Sequence, residues 1–377
     1  MNRLVAIPFI LCATTLAACG SSSKTTSSNT SSTTAASTNT TAVTLTTGNP
    51  SAAVTINEDG SSLLYPFLQE LVSPLTAQYS NITLAPAPGG SGKGIADAIA
   101  GTVQMGGSDA YLNSGQLSAN PGLMNIPIAV SAQSVYYNLP GVTNLKLTGD
   151  ILAQIYQGKI TKWNDAAIAA VNPGVTLPTT TVVPVRRIDG SGDTFIFTSF
   201  LSATNTAWQN GPAFGTSVTW PGVSNELTAN GNPGMVQTCK ATPGCVAYIG
   251  VSAGAAAQAA GLGQSMLQNK SGQFVQANSA TITAAVSAGS SNVPPDLAQP
   301  LIYEPGAQAY PIVNFEYLVV KATQANASTA EAIRTFLAWA ISTSGGSTPQ
   351  YLAKENFVAL PTSVLPAVNA AIAKITP

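Results

Sequence analysis

The sequence predicts an α/β fold. Strand-like and helix-like segments alternate from residue 51 onward. One device recurs three times: a strand runs into a Gly/Ser-rich turn, and a helix starts at that turn. The 377 residues are enough for two domains, each with its own core.

The chain opens with a basic start, Met1 to Arg3, and an apolar run, Leu4 to Ala18. That run is shorter than the roughly 20 residues that span a bilayer, and it suits a secretory signal over residues 1–18. It ends Leu16-Ala17-Ala18-Cys19. Small residues before a cysteine are similar to a bacterial lipobox, in which Cys19 is lipidated and becomes the new N-terminus. The alternative is an ordinary signal peptide with Cys19 incidental. In residues 20–50, 19 of 31 are Ser or Thr and Lys24 is the one charge. Such a segment has little to bury against its ordering entropy, so residues 19–50 are expected to be a lipid-bearing flexible tether. Signal, anchor and tether place the folded part outside the cytoplasm, at a cell membrane.

The folded elements follow in order. Val54-Thr55-Ile56 reads as a strand. Ser61-Ser62 then precedes Leu63, Leu64, Phe67, Leu68, Leu71, Val72 and Leu75, a stripe at helical period with a serine placed to cap it. Asn81 to Leu84 is a second strand, and Gly89-Gly90-Ser91-Gly92-Lys93-Gly94 leads into a helix with Ile95, Ala98, Ile99 and Val103. Val182 to Val185 runs into Arg186-Arg187-Ile188-Asp189-Gly190-Ser191-Gly192-Asp193, followed by Ile196, Phe197, Phe200 and Leu201 on one helix side. Each helix start offers unpaired N–H groups and the positive end of a dipole, which together with serine hydroxyls suit an oxyanion. Gly and Ser also close strand-to-helix turns for purely structural reasons. Three such turns, one carrying the Arg186-Arg187 pair, favour a site. Cys239 and Cys245 flank a Pro243-Gly244 turn, which in an oxidising compartment predicts a small disulfide loop. A redox pair or metal site lacks CxxC spacing and a third ligand.

Composition narrows the chemistry. Charged residues are 8% of the chain, against about 25% in ordinary soluble proteins. There is no His, hence no imidazole base, no Ser-His-Asp triad and no His-ligated zinc. Fourteen basic residues spread over the whole length make no phosphate-neutralising stripe, so no nucleic-acid partner is expected. Gly92-Lys93 fails as a P-loop, since Ala87 and Gly94 occupy positions that need Gly and Ser/Thr. No G-x-S-x-G elbow or metal spacing is present. Asp109, Asp189 and Asp193 are candidate acid/base carboxylates, but their Gly, Ser and Arg surroundings suit oxyanion handling. Neither a cofactor nor a catalytic residue is expected.

The run Arg187-Ile188-Asp189-Gly190-Ser191-Gly192-Asp193-Thr194-Phe195-Ile196-Phe197-Thr198 resembles the R-x-D-G-S-G-T-x-F-x-F-T signature of the phosphate-binding proteins of Pst ABC transporters. Asp59-Gly60-Ser61-Ser62-Leu63-Leu64-Tyr65-Pro66, Gly90-Ser91-Gly92, Gly107-Ser108-Asp109-Ala110, Ile155 to Asp165, Asn172-Pro173-Gly174 and Gly244 to Gly250 match as well. The resemblance covers nearly everything from residue 54 to the C-terminus, and the lipobox and cysteine loop look most like Gram-positive lipoprotein members.

The resemblance implies a two-domain periplasmic-binding-protein (type II) fold with the ligand in the cleft between domains. Residues 51–130 plus 306–377 would form one domain and 131–305 the other, with strand-like crossings near Ile126–Ser134 and Tyr310–Phe315. It implies a monomer that binds inorganic phosphate and passes it to ABC permease and ATPase subunits. It implies donors to phosphate at Ser62, the Leu63 backbone, Ser91, Arg187, Ser191 and the Gly192 N–H, with Asp109 accepting from the anion. Asp189 would hold Arg187 or cap the helix. Asp193 stands where the signature has Thr; it is either a second acidic ligand or a helix cap. Asp109 would then select for a protonated oxyanion, because phosphate keeps a P–O–H near neutral pH and sulfate does not. The rivals are a binding protein for sulfate, molybdate or arsenate, an extracellular phosphatase, and a surface adhesin carried on the Ser/Thr stalk.

Overall fold

A computed structural model of the protein describes residues 45–377. The expected signal, Cys19 and most of the tether lie outside the described residues. The last part of the expected tether is fixed to the body. Gly48 exchanges hydrogen bonds with the Thr335 hydroxyl, and Arg334 Nε donates to the Thr46 carbonyl. Leu45 packs against the core.

The strands that position the site are β1 (Val54–Gly60), β2 (Ile82–Ala87), β3 (Met105–Ser108), β4 (Leu123–Tyr137), β5 (Val183–Arg187), β6 (Leu227–Ala229), β7 (Cys245–Gly250) and β8 (Ile312–Lys321). They form one sheet in the order β2-β1-β3-β8-β4-β7-β5-β6. On one side β1 runs parallel to β2 and β3, and on the other β5 runs parallel to β6 and β7. Two long strands join these halves. β8 lies antiparallel to β3 and β4, and the far end of β4 lies antiparallel to β7. Of the two segments expected as crossings, Ile126–Ser134 lies within β4, while Tyr310–Phe315 is strand only from Ile312, where β8 begins.

β4 and β8 are buried almost throughout, as near-continuous apolar runs in a covered sheet should be. Pro127 lies inside β4, where it has no N–H to give the ladder. The register between β8 and β4 shifts at that point, between Glu316 and Tyr317, and the irregularity accommodates it.

Three helices start at the ends of parallel strands: α1 (Tyr65–Gln78) after β1, α2 (Ser91–Ala100) after β2, and α3 (Gly192–Thr204) after β5. α1 buries Phe67, Leu68, Leu71 and Leu75, the stripe read from the sequence. It begins later than its serine pair implied, because Leu63 and Leu64 lie in a preceding turn whose N–H groups Ser61 Oγ accepts, at 3.0 Å each. α4 (Gly231–Ala241) carries Cys239, bonded to Cys245 at the start of β7. Gly244, with φ +81°, makes the turn between them and donates to the Asn138 carbonyl. Trp163 Nε1 donates to the Gly244 carbonyl at 2.9 Å, seating the loop on the core.

Glu58 of β1 is 2% exposed, and its Oε2 has no hydrogen-bond partner among the described residues. Burial, and then the charge of Asp59, push its carboxyl up to about 8 against the pull of the Ala87 and Gly107 amides. An acid raised in the native state contributes stability that is complete below its ordinary 4.5 and is lost as pH rises through 8. Glu58→Gln, neutral at every pH, is expected to match wild type in acid and to be more stable by about 5 kcal/mol above pH 8. Denaturant melts at the two ends of that range check this; a parallel loss of stability in both proteins would contradict it.

Candidate anion site

The C-terminal ends of β1, β3 and β5 and the N-termini of α2 and α3 come together between the two halves of the sheet, as parallel-sheet architecture dictates. Ser62, Ser91, Asp109, Arg187, Ser191 and Asp193 are all buried there. The two halves of the sheet touch across it through the Gly92 N–H, which donates to the Gly190 carbonyl at 2.9 Å. A side chain at Gly192 would strike the Asp109 carboxylate and the Ser91 hydroxyl, so only glycine lets the start of α3 come this close.

Asp109 sits at the centre. Its Oδ1 accepts from the Ser61 hydroxyl, while Oδ2 is 3.3 Å from Ser91 Oγ, which in turn accepts the Asp109 N–H. Burial, and then the neighbouring Glu316, push the Asp109 carboxyl well up. Across the crevice, Arg187 Nε donates to Asp189 Oδ1 at 2.7 Å and its Nη2 to the other oxygen of the same carboxylate, a bidentate fork. Nη1 donates to Asp193 Oδ2 at 2.6 Å. Burial works against charge on Asp189, yet Arg187 holds its carboxyl below the ordinary value. The Arg187 N–H donates to Tyr248 Oη at 2.9 Å, fixing the end of β5.

Asp193 is neither free nor a cap. Ser191 Oγ caps α3 by accepting the Thr194 N–H. Asp193 Oδ2 also takes Asn232 Nδ2, and Oδ1 takes Gln133 Nε2. Burial, then the charge of Asp109, push the Asp193 carboxyl up to about 7, with Arg187 opposing. Asp189 is likewise no cap; it holds Arg187, the first of the two roles open to it.

Of the expected donors, the Gly192 N–H has no acceptor among the described residues, and the start of α3 that carries it lies against Asp109 and Ser91. Ser62 Oγ accepts from the backbone and side chain of Asn232, which leaves its own hydrogen to give. Two expectations change. The Leu63 N–H goes to Ser61 Oγ, because Ser61 closes the turn after β1, so the Leu63 backbone is not a free donor. The Ser191 hydroxyl is engaged as the α3 cap and its N–H donates to the Thr216 carbonyl, so its remaining capacity is the hydroxyl hydrogen. The sequence reading missed Ser61, which holds Asp109, and Asn232 and Gln133, which hold Asp193. It also missed Glu316, whose carboxyl touches Asp109. For Glu316 there was a signal, an acid inside an otherwise apolar strand.

A covered sheet with helix N-termini and an arginine closing on a buried polar crevice is the architecture of periplasmic binding proteins, and the PBP superfamily domain matches residues 25–344. The phosphate-binding protein PstS of Xylella fastidiosa is 34% identical over 303 residues, covering 78% of this chain and 80% of the relative. That of Methanocaldococcus jannaschii is 33% identical over 334 residues, 83% and 84% of the two chains. Among solved structures, a phosphate-binding protein from Stenotrophomonas maltophilia superposes with TM-score 0.64 at 22% identity, over 84% of this chain and 93% of that one. An ABC-type phosphate transport receptor from Vibrio cholerae gives 0.52 at 17% identity, over 80% and 99%. The chain belongs to the PBP superfamily and, within it, to the family of the PstS proteins.

Proposed function

We propose that this protein captures inorganic phosphate outside the cytoplasm and delivers it, as a monomer, to the permease and ATPase subunits of an ABC transporter. The observation that carries the reading is that the start of α3 at Gly192 lies against Asp109 and Ser91 from the other half of the sheet, with Ser62 and Arg187 joined to the same place through Asn232 and Asp193. Donors on every side suit an anion, and a carboxylate among them suits one that still carries a proton. The names of the family members support the same ligand. Residues 51–130 with 306–377, and residues 131–305, are the two lobes that close on it, with β4 and β8 as the hinge. Cys19 carries the lipid that holds the protein at the cell membrane. No step calls for catalysis.

Titration calorimetry with phosphate, with sulfate, molybdate and arsenate as competitors, tests the ligand. Tight phosphate binding that sulfate does not displace is expected, and an absence of phosphate heat ends this reading. Release of p-nitrophenol from its phosphate ester would favour the phosphatase instead. Mass spectrometry of protein from membranes tests the lipid on Cys19.

Asp193 gives the site a pH dependence. Below about 7 its carboxyl is neutral and releases Arg187 to the guest; above, it ionises and competes for the guanidinium. Phosphate affinity is expected to fall as pH rises through that value, and to fall less in Asp193→Thr. Identical pH profiles for the two proteins would take Asp193 out of the site.

A further inference from the structure

Glu316 of β8 is 0% exposed and lies directly behind Asp109. Its surroundings can be counted hydrogen by hydrogen. Asn314 Nδ2 donates to the Phe315 carbonyl at 2.9 Å and to Glu316 Oε1 at 3.1 Å, which turns the Asn314 Oδ1 toward Ser131. Ser131 Oγ is 2.9 Å from that Oδ1 and in contact with Glu316 Oε1 as well. A hydroxyl has one hydrogen, and both neighbours are acceptors. The carboxyls of Asp109 and Glu316 also meet each other, and Ser61 has already given its hydrogen to Asp109. Glu316 Oε2 has no hydrogen-bond partner among the described residues, so a hydrogen between the two carboxyls has to come from the pair itself.

We infer that Glu316 holds the proton of a carboxyl pair with Asp109, keeping Asp109 ionised toward the guest, and so is a positioning residue for the selection of protonated oxyanions. The inference rests on the phosphate reading above. Two touching carboxyls in a buried place do not both ionise. Arg187 relieves Asp109 only in part, since its fork on the Asp189 carboxylate already matches its charge. The other groups facing the pair are the Ser61 and Ser91 hydroxyls, Asp193 across the crevice, and the rings of Tyr317 and Tyr111. None of them supplies a second positive charge. Burial pushes both carboxyls up, Asp109 well up and Glu316 to about 7, and their mutual contact raises Asp109 and lowers Glu316. The geometry decides the other way, because Asp109 faces the Ser61 and Ser91 hydroxyls while Glu316 Oε2 has no hydrogen-bond partner among the described residues. Were Asp109 alone in this place, it would keep its own hydrogen and offer it outward, as a donor suited to sulfate. A hydrogen given inward from Glu316 leaves Asp109 Oδ2 an acceptor, suited to P–O–H.

The test is calorimetry of phosphate and sulfate binding in buffers of different protonation enthalpy, which counts the protons exchanged on binding, with wild type, Glu316→Gln and Glu316→Leu. Gln donates an N–H to Asp109 without exchanging a proton. It is expected to keep the preference for phosphate over sulfate, yet to take up fewer protons per phosphate than wild type at alkaline pH. Leu donates nothing, and the preference should fall by about tenfold, one hydrogen bond's worth. Equal proton counts in wild type and Glu316→Gln, or an unchanged preference in Glu316→Leu, would overturn the inference while leaving phosphate binding standing. If the Leu variant does not fold, the Gln proton count decides. Wild type that binds no phosphate at all refutes the parent reading and the inference with it.

Discussion

Asp109→Asn is expected to admit sulfate, which the proposed phosphate site is expected to exclude. The geometry fixes which way the new amide points. Ser61 Oγ accepts the Leu63 and Leu64 N–H groups and has one hydrogen left, aimed at Asp109 Oδ1. The asparagine carbonyl must take that place, which turns its NH2 toward Ser91 and the guest where Asp109 Oδ2 now lies. An acceptor becomes a donor at the one point where the two anions differ. Phosphate loses the partner of its P–O–H, a charge-assisted bond worth about 1.5–3 kcal/mol. Sulfate loses an acceptor-to-acceptor contact of similar or larger cost. The preference for phosphate over sulfate should shrink by about 3–4 kcal/mol, more than a hundredfold. Competition calorimetry at one pH and ionic strength measures that ratio in both proteins, and a ratio as steep in Asp109→Asn as in wild type would deny Asp109 its selecting role.

The parts of this site that could be read from the chain are those made locally. A strand, a Gly/Ser turn and a helix start lie within a dozen residues of one another, so Ser91 and the run Arg187 to Asp193 carry their own structural context in the sequence. What the sequence could not show is the support brought from far along the chain. Asn232 meets Ser62 across 170 residues, and Glu316 meets Ser131 across 185. No local pattern encodes such pairs; the second follows from β8 pairing with β4, and the first from the start of α4 meeting the turn after β1. Adjacent serines show the limit at short range. Ser61 and Ser62 are chemically alike, and only the turn after β1 decides that the first holds Asp109 and the Leu63 N–H while the second faces Asn232. Residues 45–50 failed in another way. They close the Ser/Thr-rich stretch read as tether, but the helix Ala327–Ala340 presents Arg334 and Thr335 to bind their backbone.

Arg187→Met is expected to cost both binding and stability, and the two losses have different pH dependences. The guanidinium is buried between two carboxylates, Asp189 and Asp193, and is the cation that pairs with both. Removing one member of a buried ionic cluster leaves uncompensated charge, at a cost of about 3–5 kcal/mol. The sign follows from the carboxylates. Asp189 is held below its ordinary value by Arg187, so it contributes stability that is present above the unfolded value and lost as pH falls through the native one. Asp193, already raised to about 7 with Arg187 opposing the rise, goes higher once that opposition is gone. The variant should therefore be most destabilised at alkaline pH, where both carboxylates are charged and unpaired, and approach wild type in acid, where both take up protons. Phosphate binding behaves otherwise. Methionine offers no hydrogen bond at any pH, so affinity should fall at least a hundredfold, about 3 kcal/mol, across the whole range. Arg187→Lys separates charge from shape, since a single ammonium can meet one carboxylate but cannot reproduce the fork on Asp189 while also reaching Asp193. It should recover more of the stability than of the affinity. Denaturant melts and phosphate titrations of the three proteins in acid and alkali test this. A loss of stability in Arg187→Met that does not change with pH would mean that the two carboxylates do not depend on Arg187 for their charge.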